Sequence, residues 1–158
     1  EVRRGADLPF IIISPQCPTN MWWTAHLDVL TALLDDVMAR YRVNGRRVYL
    51  TGLSMGGYGT WALAALHPER FAAIAPVCGG GDPKIASQLR DMPTWVFHGA
   101  KDEIVPISES QKMVDALFAV DNPARFTVYP TLKHDSWTRT YANPELYHWM
   151  LQHLLPRE

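Results

Sequence analysis

The chain has 158 residues, a length that suits one domain over residues 1–158. Hydrophobic residues make up 47% of it, charged residues 20%, and the net charge is −1, which is ordinary for a globular protein. Because there is no run of Lys or Arg and no apolar stretch long enough to cross a bilayer, neither a nucleic acid nor a membrane is expected as a partner.

Short apolar runs predict the strands of a sheet. The first run is bounded by Pro9 and Pro15, and its continuous hydrophobicity is typical of a strand buried on both faces. Four further runs follow along the chain. The predicted strands are 10–14, 47–51, 71–77, 94–98 and 125–129.

Amphipathic segments separate these strands. Helices are predicted from Thr24 to about Tyr41, from Ser54 to His67, from Asp82 to about Arg90, from Ser108 to about Val120 and from Asn143 onward, while 131–140 is predicted as a loop. Asp82 and Asn143 precede prolines as helix caps, and Ser108 with Gln111 is predicted to form a capping box. Alternating strands and helices predict an α/β fold, a mostly parallel sheet of about five strands with helices on both faces.

The pattern Gly52-Leu53-Ser54-Met55-Gly56 lies between a predicted strand and a predicted helix. A G-x-S-x-G turn in this setting holds a nucleophilic serine at its tip, and the flanking glycines are expected to let the strand and the helix approach. The backbone N–H of Met55 would then face a developing oxyanion. The alternative is that Ser54 merely caps the helix.

A serine nucleophile needs a base, usually a histidine oriented by a carboxylate. His134 follows the last predicted strand and is the best candidate. His67 is assigned to a helix end, His98 to a structural role, and the other three to exposed positions on helices (His26, His148 and His153). Asp102 follows the strand that ends near His98 and is the predicted acid. Asp82 competes but is explained as a cap, while Glu103 and Asp135 are less suitable.

The remaining candidates are weaker. Trp23, Tyr58 and Trp137 are mostly expected to pack but could line a substrate pocket. Cys17 and Cys78 are expected to be unpaired, largely buried thiols, and no residue spacing indicates a metal site.

Five segments resemble the α/β-hydrolase superfamily: Pro15–Pro18, Gly52–Trp61, CGGGDP from Cys78, FHGAKDEIVP from Phe97 and HDSW from His134. They are similar in particular to serine esterases of the predicted-peptidase, feruloyl-esterase-like and dienelactone-hydrolase-like groups. The resemblance covers nearly all of the chain from Phe10 to Leu155. It implies Ser54 as nucleophile, Asp102 as acid, His134 as base, a small-molecule ester substrate and no cofactor.

One departure from the family pattern affects the expected activity. Family members have an earlier strand and a His-Gly-rich loop that supplies the second oxyanion N–H, and this chain is expected to lack both. Its expected activity is ester hydrolysis through an acyl-enzyme. The alternatives are a serine peptidase, or a catalytically weak binding or assembly module with an incomplete oxyanion hole. Three explanations are open for the missing strand: the sequence is a fragment of a longer chain, the two neighbouring strands close up, or another chain fills the gap by self-association.

Overall fold

The strands of the protein form one parallel sheet. The computed structural model describes residues 8–156. Four strands pair side by side in chain order: β1 (Tyr49–Leu53), β2 (Ala73–Val77), β3 (Trp95–Gly99) and β4 (Arg125–Tyr129). All three pairings are parallel, so the chain crosses over between each strand and the next.

Five α-helices accompany the sheet: α1 (Leu27–Arg40), α2 (Met55–Leu66), α3 (Ser108–Phe118), α4 (Trp137–Tyr141) and α5 (Pro144–Leu151). Short 3₁₀ segments cover Trp23–Ala25, Gly45–Arg47, Pro68–Arg70 and Pro83–Leu89. Within residues 8–156, each helix is too short or too polar to span a membrane.

Side chains that alternate along the strands fill two apolar cores, one on each face of the sheet. On β2, Ile74 packs with residues of α2 and α3, such as Trp61 and Met113. Its neighbours Ala73 and Ala75 belong to the other core, which includes Leu146, Trp149 and Met150 of α5. The predicted α/β sheet with helices on both faces is therefore confirmed.

The sheet has four strands, and the predicted strand at 10–14 is wrong. Ile11, Ile12 and Ile13 are 58%, 49% and 41% exposed, and residues 10–14 belong to no strand. Only Phe10 has aromatic neighbours, with its ring 5.8 Å from that of Tyr49. An apolar run becomes a strand only where a partner completes its hydrogen bonds, and β1 does not pair with this segment.

The helix ends confirm two predicted caps. The Asp82 carboxylate accepts a hydrogen bond from the Lys84 N–H at 3.0 Å. The Asn143 side chain accepts one from the Glu145 N–H, also at 3.0 Å. In both cases a side-chain oxygen satisfies a backbone donor of the first turn that has no acceptor within its helix.

Three local predictions need correction. The capping box is wrong, because the α3 N-cap is Ile107 and Gln111 instead donates to Asp115, one turn further along. The helix predicted from Thr24 is a 3₁₀ turn followed by α1, which begins at Leu27. The predicted loop 131–140 contains the start of α4, which the Asp135 carboxylate caps by accepting from the Thr138 N–H at 3.1 Å.

Candidate active site

Ser54 lies at the tip of the turn between β1 and α2. Its backbone has φ 52° and ψ −117°, a conformation that is costly for a residue with a side chain. Hydrogen bonds hold the turn in place: the Ser54 N–H donates to the Val77 carbonyl at 2.9 Å, and the Ser54 carbonyl accepts from the Gly57 N–H at 2.8 Å. Ser54 occupies the N-cap position, but its hydroxyl makes no capping bond and is therefore available for other contacts.

Close packing around this turn depends on Gly52 and Gly57. A Cβ at Gly52 would overlap the Gly56 carbonyl oxygen, and a Cβ at Gly57 would lie 2.8 Å from the Val77 oxygen. A Cβ at Gly56 would meet no described atom outside its own helix within 4 Å. The expectation that both flanking glycines are needed for close approach is thus wrong for Gly56, and Gly57 serves that purpose instead.

Asp102 is held in the loop after β3 by its own backbone. Its side chain is fully buried, and its Oδ1 accepts from the N–H groups of Ile104 and Val105, both at 2.9 Å. Burial raises the pKa of Asp102, but hydrogen bonds from His134 and these two N–H groups lower it by more, so the pKa lies below its ordinary value. The loop thus presents an ionised carboxylate with one oxygen already occupied.

His134 joins Asp102 to Ser54. Its Nδ1 lies 2.7 Å from the Asp102 Oδ2, and its Nε2 lies 3.0 Å from the Ser54 Oγ. The carboxylate requires a donor, so Nδ1 carries a proton and Nε2 presents its lone pair to the hydroxyl. Three residues far apart in the chain therefore form one hydrogen-bonded series at the carboxyl ends of β1, β3 and β4.

The Met55 N–H lies next to the Ser54 hydroxyl along the chain. Met55 is the first residue of α2, so its N–H belongs to the four that have no acceptor within the helix. The positive end of the helix dipole adds to its attraction for an anion. A free N–H directly after the serine, at a helix N-terminus, is the position expected of an oxyanion donor.

The three aromatic candidates are placed differently. Trp137 stands edge-on to the His134 ring, with ring centroids 5.3 Å apart. The Tyr58 N–H bonds to the Ser54 carbonyl at 3.1 Å, and its ring borders a cavity of about 420 Å³. The Cβ of Trp23 lies over Gly59 of α2, an arrangement that serves packing.

The competing carboxylates have other partners. Asp82 and Asp135 cap helical segments. Glu103 is largely exposed and pairs with Lys133 at 3.4 Å. Among the competing histidines, His153 lies beyond the end of α5, and its Nε2 is buried, so its assignment to an exposed helix position is wrong.

Cys78 adjoins the site, although the sequence did not predict it to lie there. Cys17 and Cys78 are both buried and free, as predicted. The Cys78 sulfur lies within 4.8 Å of ligand atoms of Asp102 and His134, a grouping that sequence spacing could not reveal. Burial raises the pKa of the Cys78 thiol, whereas a metal ligand must be a thiolate. Asp102 and His134 are moreover bonded to each other, so the cluster is poorly suited to hold a metal.

His98 was assigned a structural role, and its contacts are indeed internal. The ring is fully buried, with Nδ1 2.7 Å from the Ser110 hydroxyl and Nε2 2.9 Å from the Val105 carbonyl. Sequence reasoning missed that Nε2 also lies 3.2 Å from the Asp102 Oδ2. The i, i+4 spacing of the two residues is visible in the sequence, but such spacing predicts contact only on a helix.

Comparisons with known proteins agree with this arrangement. The chain is 28% identical over 128 residues to a poly(3-hydroxyoctanoate) depolymerase of Pseudomonas fluorescens, covering 66% of this chain and 46% of that protein. It is also 28% identical over 101 residues to a bifunctional acetylxylan esterase/xylanase of Neocallimastix patriciarum, covering 61% of this chain and 15% of the relative.

Solved structures include a close match to the fold. The crystal structure of a thermostable esterase superposes with a TM-score of 0.84 at 34% identity, over 89% of this chain and 43% of the other. The chain thus spans less than half the length of each of these three proteins.

The parallel sheet, the strained serine turn and the order of the site residues define an α/β hydrolase. Residues 15–145 match the Dienelactone hydrolase family, and the chain belongs to that family.

Proposed function

We propose that the protein is a serine hydrolase that cleaves carboxylic esters through an acyl-enzyme. The observation that carries this proposal is the continuous series from the Asp102 Oδ2 through His134 to the Ser54 Oγ, with separations of 2.7 and 3.0 Å. Both distances lie within the range needed for proton transfer. The esterase and depolymerase relatives support the choice of ester chemistry.

In the first half of the reaction, the Ser54 Oγ attacks the ester carbonyl while the His134 Nε2 accepts the hydroxyl proton. Asp102 keeps the Nδ1 proton in place and stabilises the imidazolium that forms. The Met55 N–H donates to the tetrahedral oxyanion. When this intermediate collapses, His134 returns the proton to the leaving alcohol and the acyl group stays on Ser54.

In the second half, His134 activates a water that attacks the acyl-enzyme. The same residues then act in reverse, releasing a carboxylic acid and restoring the Ser54 hydroxyl. Trp137 and Tyr58 are proposed to line the substrate pocket, since Trp137 contacts the base and the Tyr58 N–H bonds to the Ser54 carbonyl. The cavity that Tyr58 borders is a separate one, since its lining includes neither Ser54 nor His134. The role predicted for Trp23 in binding remains a prediction.

The test is covalent labelling with a fluorophosphonate, followed by peptide mass spectrometry and by hydrolysis of p-nitrophenyl esters. We expect the label on Ser54, and we expect Ser54→Ala to abolish labelling and lower kcat by about 10⁶-fold. Ser87→Ala is the matched control, because Ser87 is exposed and bonds only to Gln88 among its described neighbours. A folded chain that neither labels nor hydrolyses esters would contradict the proposal and favour the catalytically weak module.

The same assay separates esterase from peptidase. Amide hydrolysis depends more strongly than ester hydrolysis on protonation of the leaving group. An ester and an anilide that share the same acyl group therefore report which of the two bonds the protein cleaves faster. We expect the ester to be cleaved much faster. Comparable rates on both substrates would favour the serine peptidase.

We also propose that the protein self-associates through the edge of β1. In the described sheet β1 has a strand on one side only, and the apolar segment Ile11–Ile13 is exposed. An unpaired edge next to exposed apolar residues favours pairing with another chain. A second copy would cover both features.

A further inference from the structure

We propose that His98 is a positioning residue for the acid of the site: its Nε2–H, which donates to the Val105 carbonyl, also attracts the Asp102 Oδ2 that lies 3.2 Å away and so restrains the direction in which that oxygen meets His134. This inference rests on the proposed serine-hydrolase function. His98 then helps to align the reactive groups in addition to packing in the core.

The tautomer follows from the atoms around the ring. The His98 Nε2 lies 2.9 Å from the Val105 carbonyl oxygen and 3.2 Å from the Asp102 Oδ2. Neither of these oxygens has a proton to donate, because the carboxylate is ionised. A lone pair on Nε2 would repel both, so Nε2 carries a proton. It donates this proton to the Val105 carbonyl, and the Asp102 Oδ2 is a longer, electrostatic contact of the same N–H.

This donor completes the environment of the carboxylate. Oδ1 accepts from the N–H groups of Ile104 and Val105, and Oδ2 accepts from His134 at 2.7 Å. The His98 Nε2–H adds an electrostatic contact to Oδ2 at 3.2 Å. With both oxygens held, rotation of the carboxylate about its χ2 angle would break contacts at each end.

A second link holds the His98 ring itself. With Nε2 protonated, Nδ1 accepts from the Ser110 hydroxyl on α3 at 2.7 Å, and the Gly79 carbonyl after β2, 2.9 Å from the same oxygen, competes for that single proton. Ser110 and His98 are both buried. The ring is therefore clamped between α3 and the loop after β3, so it can hold Asp102 rigidly.

The test compares His98→Met with His98→Gln. Both side chains have a length similar to that of histidine, but only glutamine retains a donor near the position of Nε2. We expect His98→Met to lower kcat for p-nitrophenyl ester hydrolysis about 10- to 100-fold, as for misplacement of a reacting group, with KM changed less than about twofold. His98→Gln should recover most of the lost kcat, and equal losses in the two variants would overturn the proposal.

A measurement that does not need turnover distinguishes a failure of this proposal from a failure of the proposed function. The His134 Nδ1–H proton can be followed by ¹H NMR as a low-field resonance. We expect it to shift in His98→Met and to stay near the wild-type position in His98→Gln, even if the wild type proved inactive on esters. An unchanged resonance in a folded His98→Met would overturn the proposal.

Ser110→Ala provides a second route if His98→Met fails to fold. It leaves the imidazole in place and removes the hydroxyl that lies between Nδ1 and the Gly79 carbonyl. We expect kcat to fall about two- to tenfold, the worth of one neutral hydrogen bond, together with a smaller shift of the same resonance. No change in either would overturn the proposal.

Discussion

Replacing Asp102 with asparagine removes one charge while nearly preserving the shape of the side chain. The amide oxygen can still accept from the N–H groups of Ile104 and Val105, which lie 2.9 Å from Oδ1 in the wild type. The amide nitrogen then takes the place of Oδ2 and faces the His134 Nδ1. Because two N–H groups cannot point at each other, Nδ1 must become the acceptor and the proton must move to Nε2.

The protonated Nε2 then faces the Ser54 Oγ across 3.0 Å and cannot act as a base. The wrong tautomer in a serine hydrolase site costs about 10⁴-fold in kcat, which is about 5.4 kcal/mol of transition-state stabilisation. The loss should fall mainly on kcat, since the carboxylate is buried and does not face the substrate.

The assay is steady-state hydrolysis of p-nitrophenyl acetate by wild type, Asp102→Asn and Glu103→Gln. Glu103 is the matched control, because it adjoins Asp102 but is exposed and pairs only with Lys133 among the described residues. We expect the control to retain full activity. Refutation would come from Asp102→Asn keeping more than a tenth of the wild-type kcat while folded, or from an equal loss in the control.

Three further predictions concern stability and assembly. Because the pKa of Asp102 is lowered in the folded protein, the charged carboxylate stabilises the fold at pH values above its unfolded pKa of about 3.9. In urea unfolding, the difference in free energy of unfolding between wild type and Asp102→Asn should therefore shrink as the pH falls below about 4. A difference that stays constant with pH would contradict this prediction. Gly57→Ala should lower the free energy of unfolding by about 1–3 kcal/mol, since its Cβ would lie 2.8 Å from the Val77 oxygen, whereas the unobstructed Gly56→Ala should not; equal effects would show that the contact does not matter. Light scattering should give a mass near twice 17.9 kDa, and Ile12→Lys on the exposed segment should restore the monomer; a wild type that stays monomeric at all concentrations would argue against pairing at β1.

The serine turn could be predicted because its information is local. Gly52, Ser54 and Met55 are consecutive or nearly so, and a turn between an apolar strand and a helix requires particular residues at particular positions. The caps at Asp82 and Asn143 were predicted for the same reason, since a capping bond reaches only two or three residues along the chain. The alternation of strands and helices likewise predicted the parallel sheet.

The capping box and the His98 contact show where local reasoning fails. Ser108 and Gln111 have the right spacing, but the helix begins one residue earlier than that spacing assumes, with Ile107 as its cap. His98 and Asp102 come together because the loop after β3 turns back on the strand, and the sequence does not specify that path.

By itself, the sequence determined the α/β class, the serine turn and a short set of candidate acids and bases, because each follows from periodicity or from residues close together in the chain. Only the tertiary structure decided that Asp102 and His134 meet Ser54, that Cys78 and His98 adjoin them, and that residues 10–14 do not join the sheet. Contacts between distant segments depend on how strands pair and loops fold back, and strand pairing requires a partner whose presence no single run of residues can specify.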